Sequence, residues 1–129
     1  MKRLFITTLL ILFGLTGVYA QAEEVTKSSA LEFKSLNHDF GTMTQGGEKV
    51  SYEFVFTNNS EGPVVITRTA NSCRCISVVA PKRPIKPGAQ GVIRVTFDPK
   101  DKGVFNKAID VYANIPGGRL TLLVTGEVQ

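Results

Sequence analysis

The sequence is poor in the residues that build catalytic and metal sites. It has one histidine, two cysteines, two methionines and no tryptophan among 129 residues. The paired Cys-x-x-Cys spacing of zinc domains is missing, as are a phosphate-binding glycine loop and a serine-nucleophile motif. No catalytic constellation stands out, so we expect a protein that is not an enzyme and has no bound cofactor.

An excess of charge of one sign is missing as well. The formal net charge is +4, and removal of Lys2 and Arg3 with a cleaved leader would lower it to 4 − 2 = +2. So small a charge gives no long-range attraction for polyanions. The one basic cluster, Lys82, Arg83 and Lys86, lies among three prolines and is typical of a stiff, solvated loop. We expect no nucleic acid among the partners.

A long hydrophobic run occurs only at the N-terminus. Residues 1–20 open with two cations, continue through an almost wholly apolar stretch from Leu4 to Leu15, and end on Val18-Tyr19-Ala20. That order is typical of a secretory signal peptide cleaved after Ala20. The apolar run is shorter than the roughly 20 residues that a membrane span needs. The sequence therefore predicts an exported protein, periplasmic or extracellular, with no membrane span after cleavage.

Helical periodicity is absent after residue 20. Residues 21–29 are polar and have no period, which predicts a flexible leader; from Ala30 onward apolar residues alternate with polar ones, most clearly from Val50 to Phe56. Clusters of Gly, Pro, Asn and Asp separate these runs. The pattern predicts that residues 30–129 form an all-β, immunoglobulin-like antiparallel β-sandwich of seven to eight strands. An up-and-down barrel is the alternative.

The two-residue period also predicts which side chains face the core. On the strand at 92–97, Arg94 marks one face as the wetter, so the other face should be buried. The predicted core comprises Phe33, Phe40, Tyr52, Phe54, Phe56, Ile66, Val95, Phe97, Phe105, Val111 and Leu122.

Several segments, in order along the chain, resemble a family of exported bacterial proteins classed as domain of unknown function 1573. They are NHDFGTM, YEFVFTNNSEGPVVI, SCRCI, PIKPGAQGVIRVTFDP, KGVFNKAIDVYAN and LTLLVTGEV. The resemblance covers Phe33 to Val128 and implies an immunoglobulin-like sandwich related to motile-sperm-protein and chaperone-type domains. It implies no established activity. His38-Asp39-Phe40-Gly41 matches the family's opening motif, and Pro87-Gly88 its central turn.

Cys73 and Cys75 match the family's C-G-C-T motif, except that Arg74 replaces Gly and Ile76 replaces Thr. Residues two apart on a regular strand are roughly 6.6 Å apart at Cα, further than the ~5.5–6 Å that a disulfide prefers. A Cys73–Cys75 bridge therefore requires a bulge or turn, which Arg74 makes harder to reach than Gly would. Such a bridge would add little stability and would be easily reduced.

Three other arrangements of the cysteines stay open. The pair could bind copper or zinc, with His38 and Met43 as accessory ligands, since these are the only other soft ligands of the mature chain. Cys75 could act as a nucleophile with His38 and Asp39, although the last two point to opposite faces of an extended strand. Finally, both cysteines could pack as small apolar residues, the commonest outcome for this residue type.

The flanking residues favour an irregular connection for the cysteine segment. Asn71-Ser72 is turn-forming, and Arg74 must keep its charge in water. We therefore expect at least one sulfur near the surface, with Arg74 favouring its thiolate.

Two functions compete. The first is a secreted or cell-envelope binding module of unknown specificity, whose partner is an unknown protein or envelope component. The alternative is an envelope thiol-redox or soft-metal protein that uses Cys73 and Cys75.

Overall fold

A computed structural model describes residues 30–129, so the predicted signal peptide and leader lie outside the described part of the chain. All the regular structure in this part is β-strand. The strands are β1 (Leu31–Phe33), β2 (Asn37–Met43), β3 (Val50–Asn58), β4 (Ile66–Asn71), β5 (Ile76–Val79), β6 (Gln90–Phe97), β7 (Gly103–Ala113) and β8 (Arg119–Val128).

The strands form two four-stranded sheets that pack face to face. One sheet has the order β1-β3-β6-β5 and the other the order β2-β8-β7-β4. This confirms the predicted all-β sandwich, and two open sheets exclude the barrel. One pairing differs from the antiparallel expectation, because β2 runs parallel to β8. Side chains alternate with a period of two residues in parallel and antiparallel strands alike, so the sequence pattern could not have shown the direction of this pairing.

The core lies between the sheets, where alternate side chains of the central strands meet. Phe54, Phe56, Val95 and Val111 are buried as predicted, and β3 opposes β6 in a regular antiparallel register from Val50↔Phe97 to Thr57↔Gln90. Four other residues that were predicted in the core are also buried: Ile66, Phe97, Phe105 and Leu122.

Phe33, Phe40 and Tyr52 are only half-buried, although they were predicted in the core. Phe33 and Phe40 lie on β1 and β2, which are edge strands. Their rings pack against the core from its open side, where no further strand of residues 30–129 covers them. Alternation identifies the inward face of a strand but not whether that strand is at the edge of its sheet.

The Asp39-Phe40-Gly41 segment is a bulge inside β2, although Asp and Gly at this spacing are also typical of a turn at the end of a strand. The pairing of β2 with β8 shifts register between Asp39 and Thr42. Gly41 has φ +74°, and its N–H donates to Asp39 Oδ1 at 2.8 Å. A left-handed residue within a strand is a normal feature of a β-bulge, and here it lets the strand continue to Met43.

The branched residues Val64 to Thr67 that follow Pro63 are typical of a strand, but the regular strand begins only part-way through them. Val64 makes an isolated bridge with Ile85, and β4 starts only at Ile66.

Residues 30–129 contain no helix with the length and hydropathy of a membrane span.

Candidate functional site

The two cysteines lie in the short connection between β4 and β5, where the chain crosses from one sheet to the other. Backbone and side-chain hydrogen bonds hold this connection. Cys73 N–H donates to Asn71 Oδ1 at 3.1 Å, and Ile76 N–H donates to the Cys73 carbonyl at 3.3 Å. Asp98 N–H donates to the Cys75 carbonyl at 2.8 Å, which ties the connection to the end of β6. The expectation of an irregular connection is confirmed.

Cys73 and Cys75 are joined by a disulfide, with their Cα atoms 5.2 Å apart. The turn at Arg74-Cys75 brings these Cα atoms closer than a regular strand would allow. Within residues 30–129 only glycines have positive φ, so Arg74 makes the turn with an ordinary backbone conformation. The expectation that Arg74 would hinder the bridge is therefore wrong: the turn does not need the left-handed conformation that Gly supplies.

Both cysteines are half-buried, and Arg74 between them is exposed. Cys75 N–H also donates to Sγ of Cys73 at 3.2 Å. A donor aimed at a sulfur stabilises negative charge on it, so of the two sulfurs Cys73 Sγ is the better placed to exist as a thiolate.

A pocket of about 180 Å³ opens beside the disulfide. This volume is below the ~300–1,000 Å³ of ordinary small-molecule sites, so it suits a single side chain or a very small ligand. Its walls combine the two cysteines, aromatic side chains of the core and charged residues of the β6–β7 connection. The lining residues are Cys73, Cys75, Phe97, Asp98, Asp101, Lys102, Gly103, Val104, Phe105 and Lys107.

Lys107 is one of several residues of this pocket that sequence reasoning missed. It lies on β7 between Phe105 and Ile109, which are both buried, and so occupies a core-facing position of the strand. The β4–β7 ladder ends at Asn71↔Ile109; Cys73 lies two residues past this pair, where the chain has left β4, and Lys107 lies two residues past it on β7. None of the ion pairs within residues 30–129 involves Lys107. The sequence did contain a signal: a lysine stands at a position where the two-residue alternation of this strand otherwise places apolar, core-facing residues.

The structure does not bring His38 and Met43 to the cysteines. Both lie on edge strand β2, whereas Cys73 follows β4 at the opposite edge of the same sheet. The two intervening strands separate β2 from β4 by three strand spacings, roughly 14 Å. In the described part of the chain no group of three or more Cys, His, Asp or Glu could hold a metal ion. Copper or zinc binding would first require reduction of the bridge, and it stays a prediction.

His38 instead belongs to an aromatic group between the sheets. Its ring stacks on Tyr52 with centroids 3.7 Å apart and contacts Phe40 edge-on at 4.7 Å. Met43 is buried in the core at the end of β2. Asp39 is exposed, and its carboxylate caps the bulge, so Cys75, His38 and Asp39 do not form a catalytic group.

The family model for proteins of unknown function DUF1573 matches residues 31–128, which is the whole sandwich. The chain belongs to the DUF1573 family. A search of curated proteins gave no match.

Solved structures place this DUF1573 sandwich among immunoglobulin-like domains. A Porphyromonas gingivalis W83 protein of unknown function has a TM-score of 0.68 at 21% identity, over 77% of this chain and 46% of that one. Domain 7 of human CEP192, an ASH/PapD-like domain, has a TM-score of 0.65 at 14% identity, over 79% and 87%. A Caenorhabditis elegans protein of the MSP family, WR4, has a TM-score of 0.52 at 10% identity, over 78% and 99%.

These likenesses confirm the immunoglobulin-like fold, which the MSP-family and PapD-like domains share. All three identities are below 25%, so they concern the fold and not the activity. The DUF1573 chain spans about half the length of the Porphyromonas protein that it matches.

Proposed function

We propose that this protein is an exported, non-enzymatic binding module that takes up an extended segment of an envelope or secreted protein along β5. Its membership of a family without known activity, and a fold shared with the ASH/PapD-like domain of CEP192, support a binding role. The predicted signal peptide at residues 1–20 supports export. The observation that carries the proposal is the outer edge of β5, with which no strand of residues 30–129 pairs.

The backbone of β5 is suited to pairing with a further strand. Asp98 N–H donates to the Cys75 carbonyl, and β5 pairs with β6 in regular antiparallel register. Because backbone groups of an antiparallel strand alternate in direction, Ser77 and Val79 bond towards β6, and Val78 directs its N–H and C=O to the edge. An unpaired edge of this kind is the template for strand addition.

Side chains beside this edge provide an apolar contact. Val79 on β5 is 64% exposed. Val92 on β6 lies on the same outer face of the sheet and is 39% exposed. Arg94 lies opposite Val79 and pairs with Glu53 at 3.7 Å, so a charged pair borders the apolar contact. An added strand would bond its backbone to Val78 and bury Val79, with charged residues around it. This favours an amphipathic extended peptide over a helix.

Peptide selection with displayed libraries tests the proposal. We expect the purified protein to select extended peptides with alternating apolar residues, and their binding should slow hydrogen exchange at the Val78 amide. Val79→Lys should weaken binding at least tenfold, because it places a charge in the buried contact, equivalent to about 1.4 kcal/mol or more. Val104→Lys is the matched control, since Val104 is 82% exposed on β7 of the other sheet. Peptides that bind both variants equally would contradict the use of β5.

A further inference from the structure

We propose that the pocket beside Cys73–Cys75 is a thiol–disulfide exchange site, in which an incoming thiolate attacks Sγ of Cys75 and Cys73 leaves, with Lys107 as the positioning cation. The proposal does not rest on strand addition at β5. It assigns a reactive role to a bridge whose contribution to folding is small, because it closes a loop with one intervening residue.

The first argument is the access to the bridge. Both cysteines line a pocket that is open at the surface connection between β6 and β7, and both are half-buried. A bridge buried in the core would be out of reach of a thiol, since exchange requires attack along the sulfur–sulfur axis. The pocket volume of about 180 Å³ admits a cysteine side chain or the thiol end of a small molecule.

The second argument is the stabilisation of the leaving sulfur. Cys75 N–H donates to Cys73 Sγ, and Lys107 projects from a core-facing position into the same pocket. The last pair of the β4–β7 ladder is Asn71↔Ile109, and Cys73 and Lys107 each lie two residues beyond it. A thiol with a lower pKa is a better leaving group, and a nearby cation and an N–H donor both lower that pKa. The N–H donor acts on Cys73 and not on Cys75, so the attack is directed to Cys75.

The reaction balances without a further oxidant or metal. The incoming thiol loses its proton to solvent, its sulfur bonds to Cys75 Sγ, and the Cys73–Cys75 bond breaks with its electron pair leaving on Cys73. A second thiolate then attacks the incoming sulfur, Cys75 leaves as a thiolate, and both cysteines take up protons. Overall the bridge is reduced and two thiols are oxidised to a disulfide.

The test compares the rate of reduction of the bridge in the native protein with the rate in the same protein unfolded in urea. The unfolded chain keeps the same small loop, so the ratio reports what the folded pocket contributes. We use reduced glutathione as the small thiol and a reduced thioredoxin-type protein as the dithiol. We expect the native bridge to react about tenfold faster or more with at least one of them. The reagent that reacts faster shows whether the pocket exchanges with a small thiol or with a protein dithiol. A native bridge that reacts more slowly than the unfolded one with both reagents overturns the proposal.

Variants test the role of Lys107. Lys107→Met should slow native reduction by about tenfold, because it removes a cation that lines the pocket of the leaving thiolate, and Lys107→Arg should keep most of the rate. Arg74→Gln should have a smaller effect, since an exposed cation is screened by solvent. Lys86→Met is the control, as Lys86 is exposed beyond the other end of β5. If Lys107→Met and Lys86→Met slow the reaction equally, Lys107 has no specific role in the exchange reaction.

The position of the first adduct tests the direction of attack. Acid quenching during reaction with glutathione, followed by peptide mass spectrometry, should find the mixed disulfide on Cys75. An adduct mainly on Cys73 would overturn the assignment of the leaving sulfur. In Cys75→Ser, the thiol of Cys73 should show an apparent pKa below the free-cysteine value of ~8.5, and Lys107→Met should raise it.

Discussion

Replacement of Asn58 by alanine should destabilise this sandwich more than its position at the end of a strand suggests. Asn58 is fully buried at the end of β3. Its Nδ2 donates to the carbonyls of Gly62 and Ile85 at 2.9 and 2.8 Å, and its Oδ1 accepts from Ser60 N–H at 2.9 Å and Ser60 Oγ at 2.6 Å. One side chain thus joins the turn after β3 to the segment before β6.

The expected loss is about 2–4 kcal/mol, from four hydrogen bonds at roughly 1 kcal/mol each, less what can be recovered. Other hydrogen bonds recover only part of this loss of stability. The Ile85 carbonyl also accepts from Val64 N–H at 2.9 Å, and the Gly62 carbonyl also accepts from Ser60 Oγ at 2.8 Å. Ser60 N–H has no such replacement among these bonds.

Urea denaturation followed by circular dichroism measures the effect, because the chain has no tryptophan to report by fluorescence. Asn59→Ala is the control. Asn59 is exposed and bonds Glu32 Oε2 at 2.6 Å, so we expect a loss under about 1 kcal/mol. A loss at Asn58 no larger than the one at Asn59 would refute the view that Asn58 holds the turn.

Asn58→Asp adds a dependence on pH. The new carboxyl would be buried and would face two carbonyl oxygens, which raises its folded pKa above the unfolded value of ~3.9. The folded state then binds the proton more tightly, so this variant should lose stability as pH rises above about 4. A loss that is constant with pH would show that the turn opens to water instead.

Three further predictions concern the core and the N-terminus. Phe54→Ala should cost roughly 3–5 kcal/mol in urea denaturation, because Phe54 is 1% exposed, and a loss below about 1 kcal/mol would contradict its burial. Gly91→Ala should cost about 1–3 kcal/mol, because its new methyl group would lie 2.8 Å from Cε1 of Phe56; Gly62→Ala, with open space around it, should be near neutral, and equal losses would argue against the clash. Intact-mass measurement of protein from the cell envelope should show cleavage after Ala20, and a mass that retains residues 1–20 would contradict export.

The strands and most of the core could be predicted because they depend on local alternation. The run from Val50 to Phe56 has one apolar face, and β3 buries that face as expected. Edges and directions of strands depend on which distant segments pair. The half-buried state of Phe40 and the parallel pairing of β2 with β8 follow from that pairing, which the period of one strand does not contain.

The cysteine site shows the same division between local and distant information. Asn71-Ser72 and the exposed Arg74 predicted an irregular connection, and the connection was found there. Lys107 is 32 residues beyond Cys75 in sequence and reaches the pocket only because β4 and β7 are neighbours in the second sheet. Arg74 was expected to be the cation that acts on the sulfurs because it is adjacent in sequence. In the fold its side chain is exposed, whereas Lys107 shares the pocket, so charge removal at Lys107 should have the larger effect on the thiol.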